Sequence, residues 1–465
     1  MMNEERLFPS EPSARAVAVK LYESVRNLPI ISPHGHTDPS WFAENKPFPN
    51  PAALFIQPDH YIFRMLYSQG ISLESLGVPQ VDGKQSADPR EVWRIFARNY
   101  FLFRGTPTRL WLDFALEKGF GLKERLSAGN ADEYYDIIDK KLQTPEFLPR
   151  ALYERFNIAV LATTDAAVDS LEHHKAILAT GWKGRVVPTF RPDAVIDAEY
   201  SGFQDNLKML GEVTNLDVST WKGYLDALRM RRQYFKKYGA TATDHGHLTA
   251  QTADLSLLDA ENLYQRVFTN KLAAGDVELF QAQMLTEMAG MSVEDGLVMQ
   301  LHPGSIRNYN TPVYEKFGRD KGADIPSPTE YVRALRPLLN KYGNDTNFTL
   351  ILFTLDETTY SRELAPIAGH FPSVKLGPSW WFHDSPEGMM RFREAATETA
   401  GFYNTVGFND DTRAFLSIPA RHDVARRVDC AFLSRLVAEK RLDEAEALEL
   451  VKDLTVNLVR KAYKF

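Results

Sequence analysis

His34 and His36, separated by one glycine, follow a short apolar run, Leu28 to Ser32 (LPIIS). Alternate residues of an extended strand project to the same side, so both imidazoles can reach one ion. A third histidine, His302, ends another run in Gln300-Leu301-His302. An acidic pair lies near the far end of the chain, in Asn409-Asp410-Asp411-Thr412-Arg413. A histidine and an aspartate from distant segments would complete, with the first pair, a mixed nitrogen and oxygen donor set. One divalent ion, zinc or another borderline metal, suits such a set. A second pair, Asp244-His245-Gly246-His247, competes for the same role. The first pair is preferred because a partner from the last strand closes a compact site. On that reading His245 contacts substrate or orients a ligand, and His247 lies outside. His173 and His174 are neighbours on an expected helix, cannot face one ion, and read as a solvated face.

Arginines supply a second kind of chemistry. Arg191, Arg307 and Arg413 each follow an apolar run, and a guanidinium fork matches the two oxygens of a carboxylate or phosphate. Three such residues at one mouth favour a small anionic substrate. Trp380 and Trp381 follow a further run and offer faces that can stack on a sugar ring. Asp59-His60-Tyr61 is close enough in sequence to the first pair to fold over the mouth.

These residues need a frame that gathers them. Eight short apolar runs recur along the chain: Leu28 to Ser32, Ile158 to Thr163, Arg185 to Phe190, Ala240 to Thr243, Leu297 to Leu301, Thr349 to Phe353, Val374 to Leu376 and Tyr403 to Phe408. Continuous apolar runs suit parallel strands buried on both faces. Helical periodicity fills the gaps, as in Asp169 to Leu178, Trp221 to Tyr238, Glu330 to Tyr342 and Glu387 to Thr397. Eight alternating strands and helices predict an α/β (β/α)8 barrel, whose strand C-terminal ends carry the chemistry. The chain 1–465 reads as one such domain. A mostly helical insertion is expected over 37–155, a second over about 250–295, and closing helices over 421–465.

Composition narrows the partners. Hydrophobic residues make up 44% and charged residues 25%, ordinary for a globular protein with a large core. A net charge of −7 argues against nucleic acid or an anionic membrane as the partner. The N-terminal residues carry acids and no apolar run, and no stretch reaches the roughly 20 apolar residues of a membrane helix. With the single cysteine, Cys430, unable to form an intramolecular disulfide, a reducing cytoplasmic location is expected. Barrel enzymes often form homo-oligomers, but no surface stripe here counts subunits.

The ordered set of motifs resembles the bacterial uronate isomerases, a divergent branch of the amidohydrolase superfamily. The resemblance runs nearly end to end: His34-Gly35-His36, Asp59-His60-Tyr61, Thr163-Thr164-Asp165, Arg191-Pro192-Asp193, Asp244-His245, Gln300 to Gly304 with Arg307, Trp380-Trp381-Phe382, and Asp411 to Ser417. It implies a metal-dependent hydrolase type of barrel with one divalent ion held by His34, His36 and Asp411. The implied substrates are D-glucuronate and D-galacturonate, converted to their 2-keto isomers. Moving a proton from C2 to C1 needs a base and stabilisation of enediolate charge. Asp411 is the first choice for the base, with Tyr61 or His302 exchanging protons with the oxygens. Arg413 and Arg191 would grip the carboxylate with His60 assisting; His245, Arg307, Trp380 and Trp381 would complete the substrate contacts. A metal-dependent hydrolase of the same superfamily is the first alternative, disfavoured by the arginines and by the lack of a strand-four lysine to bridge two metals. A sugar-acid-binding barrel without catalysis is the second.

Overall fold

The computed structural model describes residues 2–84 and 87–465. Seven parallel strands form the frame: β1 (Ile30–Ser32), β2 (Ile158–Ala162, extended by Asp165–Ala166), β3 (Val186–Val187, extended by Phe190–Arg191), β4 (Ala242–His245), β5 (Val298–Leu301), β6 (Leu350–Leu352) and β7 (Val374–Leu376). Each pairs in parallel with the next in chain order, from Ile30 opposite Ile158 to Leu350 opposite Val374. Helices fill the crossovers, as a parallel pairing requires.

The apolar runs are continuous because both strand faces are covered. Ile31, Val160, Val187, Ala242, Val298 and Ile351 share one cluster, the barrel interior. Met299, Leu301, Leu350, Leu352, Val374 and Leu376 turn the other way, into the helical layer. Burying each such aliphatic side chain stabilises the fold by about 1.5–3 kcal/mol. The floor of the barrel is filled by the last helical turns. Tyr463 is fully buried there and donates from its hydroxyl to Gln300 Oε1 at 3.0 Å.

The eighth run departs from the expected strand over Tyr403 to Phe408. Phe402–Asn404 form a 3-10 turn, and a single parallel bridge joins Leu376 to Thr405. Gly407 then takes φ +79°, its position pressed against Leu454 and Val459, which ends extended pairing after one bridge. Closure toward β1 passes instead through a loop contact, the His36 amide donating to the Thr412 carbonyl at 3.0 Å. The helix expected over Glu330 to Tyr342 is also shorter, Arg336–Tyr342. Pro337 in its first turn has no N–H to donate to the carbonyl four residues back, so no helical hydrogen bond runs from it into the preceding segment.

Between β1 and β2, helices Pro39–Glu44, Pro51–Phe55, His60–Tyr67, Pro89–Arg98, Pro107–Phe114, Ala131–Leu142 and Pro149–Arg155 pack around Phe55, Trp93, Phe96 and Phe103. Five of the seven begin with proline, whose missing N–H costs nothing in the first turn. Asp38, Asn50, Asp88 and Thr106 cap four of them through their side chains. Their core includes Ile30, Ile158, Leu161 and Val186, so these helices lean directly on β1 to β3. No helix among the described residues is long and apolar enough to cross a membrane.

Candidate active site

A cavity of about 300 Å³ opens at the C-terminal ends of the strands, the size of a single small-molecule pocket. His34 and His36 enter it from the end of β1. Their Nε2 atoms lie 3.3 and 3.1 Å from one oxygen, Oδ1 of Asp411, which arrives from beyond the eighth run. That oxygen is buried and has no hydrogen-bond partner. Asp411 sits at φ +36°, an unusual backbone for a side-chain-bearing residue, and its Oδ2 accepts from Trp380 Nε1. Burial opposes ionisation of Asp411, but the two histidines hold its carboxyl well below the usual carboxylate range. Burial pushes His36 down to about 4, so it is neutral and can donate a lone pair.

These three residues fit a metal ion. Bonds of about 2.0–2.1 Å in a tetrahedral site put neighbouring donors about 3.3–3.5 Å apart, close to the separations seen here. The charge balance agrees, because five arginines and six aspartates line the cavity. The three arginines expected at the mouth, Arg191, Arg307 and Arg413, do line it, and each already faces a carboxylate. A divalent cation would offset the remaining negative excess. A second group, His34 with Asp244 and His302, also has donor atoms within 4.8 Å of one another. It is the poorer cage, since His302 Nδ1 already donates to Asp244 Oδ1 at 2.6 Å and Arg191 Nη1 holds Asp244 Oδ2 at 3.1 Å. Burial opposes it, but Arg191 and His302 keep the Asp244 carboxyl well below its usual range.

His302 itself reaches the cavity with its ring stacked 4.6 Å from His34, and its Nε2 has no partner. Burial lowers its basicity, only partly countered by Asp244. A neutral imidazole with a bare Nε2 is suited to exchange a proton with a sugar oxygen.

The opposite wall comes from the inserted helices. Asp59 caps helix His60–Tyr67, accepting from the Tyr61 amide at 2.9 Å, and so fixes His60 and Tyr61 at the cavity rim. Burial raises the Asp59 carboxyl to about 6 and lowers His60 to about 3. His60 stacks flat on Trp381 with centroids 5.0 Å apart, and Arg307 lies over the same indole. Tyr61 donates to Asp384 Oδ1 at 2.9 Å.

The sequence places most of these residues at the cavity, with four corrections. His245 is fully buried and does not line it. Side chains alternate on β4, so when Asp244 faces the mouth, His245 turns into the layer behind and meets Thr243 Oγ1 at 3.1 Å. Trp380 is 5% exposed and packs against His302 and Phe353, so it offers little open face for stacking, and its indole N–H engages Asp411. Arg191 and Arg413 are committed to acids rather than open: Arg191 to Asp193 at 2.7 Å and to Asp244, Arg413 to Asp320 at 3.2 Å. Arg307 likewise holds Asp324 at 2.9 Å. His174 is not solvated but buried, against Thr163 Oγ1 at 2.9 Å. His173 is the half-buried member of that pair. His247 lies off the cavity, buried beside His245 and Asp193. Asp320, Asp384, Arg319 and Arg421 also line the cavity and were not singled out in the sequence.

A parallel α/β barrel with imidazole and carboxylate donors gathered at its strand ends defines an α/β-barrel enzyme. A family described as glucuronate isomerase matches residues 12–463. The chain belongs to that family, and its enzyme class is isomerase. It is similar to a uronate isomerase from Phenylobacterium zucineum, 61% identical over 463 residues, covering 100% of this chain and 96% of the other. The crystal structure of a glucuronate isomerase from Caulobacter crescentus superimposes with a TM-score of 0.99 at 60% identity, covering 100% of this chain and 97% of that one. A uronate isomerase from Thermotoga maritima retains a TM-score of 0.92 at 30% identity, over 100% and 99% of the two chains.

Proposed function

We propose that the chain interconverts a hexuronate aldose and its 2-keto isomer, with D-glucuronate and D-galacturonate as substrates, in the cytoplasm. The observation that carries this reading is the convergence of His34 and His36 on Asp411 inside a cavity that also presents paired arginines, His302 and Tyr61. His34, His36 and Asp411 would hold one divalent ion, zinc on the chemistry of the donors. When bound, that ion supplies positive charge against the developing enediolate.

The remaining chemistry belongs to side chains. Arg413 and Arg191 grip the substrate carboxylate, exchanging their internal aspartate partners for it, and His60 assists. Arg307 and the Trp381 face, already stacked with His60, wall the sugar ring. Asp411, fixed by the Trp380 N–H, removes the proton at C2 and returns it to C1. Tyr61 takes the hydroxyl proton from O2 and returns it to O1 while His302 Nε2 faces the sugar oxygens, so the product leaves every group in its starting state. Each positioned acid or base contributes about 10²- to 10⁴-fold. The test is turnover of glucuronate and galacturonate by purified protein, with and without chelator. Ketose formation that falls on chelation and returns with zinc is expected. Lactone or amide hydrolysis in place of ketose formation would overturn the reading.

A further inference from the structure

Tyr61 is held by more than its own helix. Its hydroxyl donates to Asp384 Oδ1 at 2.9 Å and accepts from the Phe382 amide at 3.3 Å. A phenol oxygen has two lone pairs, so one remains for a ligand in the cavity that Tyr61 lines. Phe382 reaches this position with φ +70°, strained backbone for a bulky residue and of the kind found where function demands a particular N–H direction.

Asp384 is fixed in turn. Its Oδ2 takes Arg421 Nη1 at 2.8 Å. Arg421 is 2% exposed, reaches Ser417 Oγ through Nε at 3.2 Å, and lies 3.6 Å over the Trp111 ring. Trp111 also meets the Tyr61 ring edge-on at 5.6 Å. Three segments far apart in the chain thus close on one phenol: inserted helices, the loop after β7, and the long helix Ile418–Ala438.

We propose that Asp384 and Arg421 are positioning residues for the isomerisation, acting on the substrate through Tyr61. The inference rests on the hexuronate reading above. In the step, the sugar O2–H bond breaks as a new Tyr61 O–H forms, while the original Tyr61 hydrogen passes to Asp384 Oδ1. The reverse path then delivers a proton to O1, restoring Tyr61 and Asp384. No electrons are gained or lost and no further reactant is needed. Burial holds the Asp384 carboxyl above its ordinary range despite Arg421, which suits a group that takes up a proton in passing. Arg421 sets the direction of Asp384 and keeps the pair charged at rest.

The test compares Asp384→Asn, Arg421→Lys, Arg421→Met and the double variant Asp384→Asn/Arg421→Met in the full chain loaded with zinc. Asp384→Asn is expected to lower kcat about 100-fold with KM within about threefold and metal content unchanged. Arg421→Lys should keep most of the kcat that Arg421→Met loses. The double variant removes both members of the buried ion pair, so it should recover thermal stability relative to Arg421→Met without recovering kcat. Independently of turnover, the Tyr61 13Cζ resonance, assigned with Tyr61→Phe, should move in Asp384→Asn. A kcat within threefold of wild type in Asp384→Asn, a loss confined to KM, or a double variant with normal kcat would overturn the proposal, as would an unmoved Tyr61 resonance. Wild-type protein with no hexuronate turnover would sink the functional reading instead, and the Tyr61 resonance would still report whether the clamp exists.

Discussion

The chain carries the pattern His-Gly-His twice at strand ends, and the two copies have opposite fates. His34 and His36 leave β1 and meet Asp411 Oδ1, an oxygen with no other partner. His245 and His247 end β4 and gather around Asp193, with donor atoms again within 4.8 Å of one another. There the carboxylate is already occupied. Arg191 Nε donates to Asp193 Oδ2 at 2.7 Å, and the Gly246 amide reaches Oδ1 at 3.2 Å. Spacing of two residues puts side chains on one side of a strand but does not say which side, nor whether the meeting carboxylate is free.

The contrast can be broken in three ways. Replacing Asp411 by Asn, or His36 by Asn, should remove the bound ion and reduce turnover by about 10³-fold or more, while His247→Asn leaves one ion per chain. Elemental analysis of dialysed protein beside a ketose assay checks this. Equal loss of metal from His247→Asn would make the second pair the true centre.

Arg191→Met is the sharper probe. It should release Asp193, so that protein saturated with zinc holds more than one ion per chain, with weakened hexuronate binding in parallel. A stoichiometry fixed at one would show that Arg191 is not what disqualifies the second pair.

The smallest effect is on acid stability. Burial depresses His245 from 6.5 to about 3 in the folded protein. The unfolded chain takes up a proton near 6.5 that the folded chain refuses until about 3, so stability is lost as pH falls through that window. The slope is about 1.4 kcal/mol per pH unit for one such group. His174, depressed by burial to about 4, adds the same trend over a narrower range. Denaturant unfolding from pH 7 to 4 should show a shallower decline in His245→Gln than in wild type; an identical decline would mean that His245 titrates alike in both states.

The parts of this molecule legible in its sequence are those where chemistry and periodicity coincide. Seven of eight apolar runs became paired strands, and His34, His36, His302 and Asp411 stood out because each lies at or just beyond the end of one. The eighth run misled because Gly407 allows a turn that hydrophobicity does not report. The ion-pair partners were harder to see. Asp320 lies in a loop with no apolar run beside it, and Asp384 looks like an ordinary helix-start residue two positions before Pro386. Arg421 belongs to a helix, Ile418–Ala438, that buries two further arginines, Arg426 and Arg427, along with its apolar residues. A helix so charged, with no clear apolar stripe, was itself the available signal: charges without a wet face must find partners inside.

The Arg413–Asp320 pair at 3.2 Å has a thermodynamic consequence for whatever enters. A ligand carboxylate that takes Arg413 does not gain a bare cation; it evicts one acid and replaces it. Affinity is then a difference between two attractions of the same kind. A neutral sugar, having nothing to swap, leaves the incumbent in its seat.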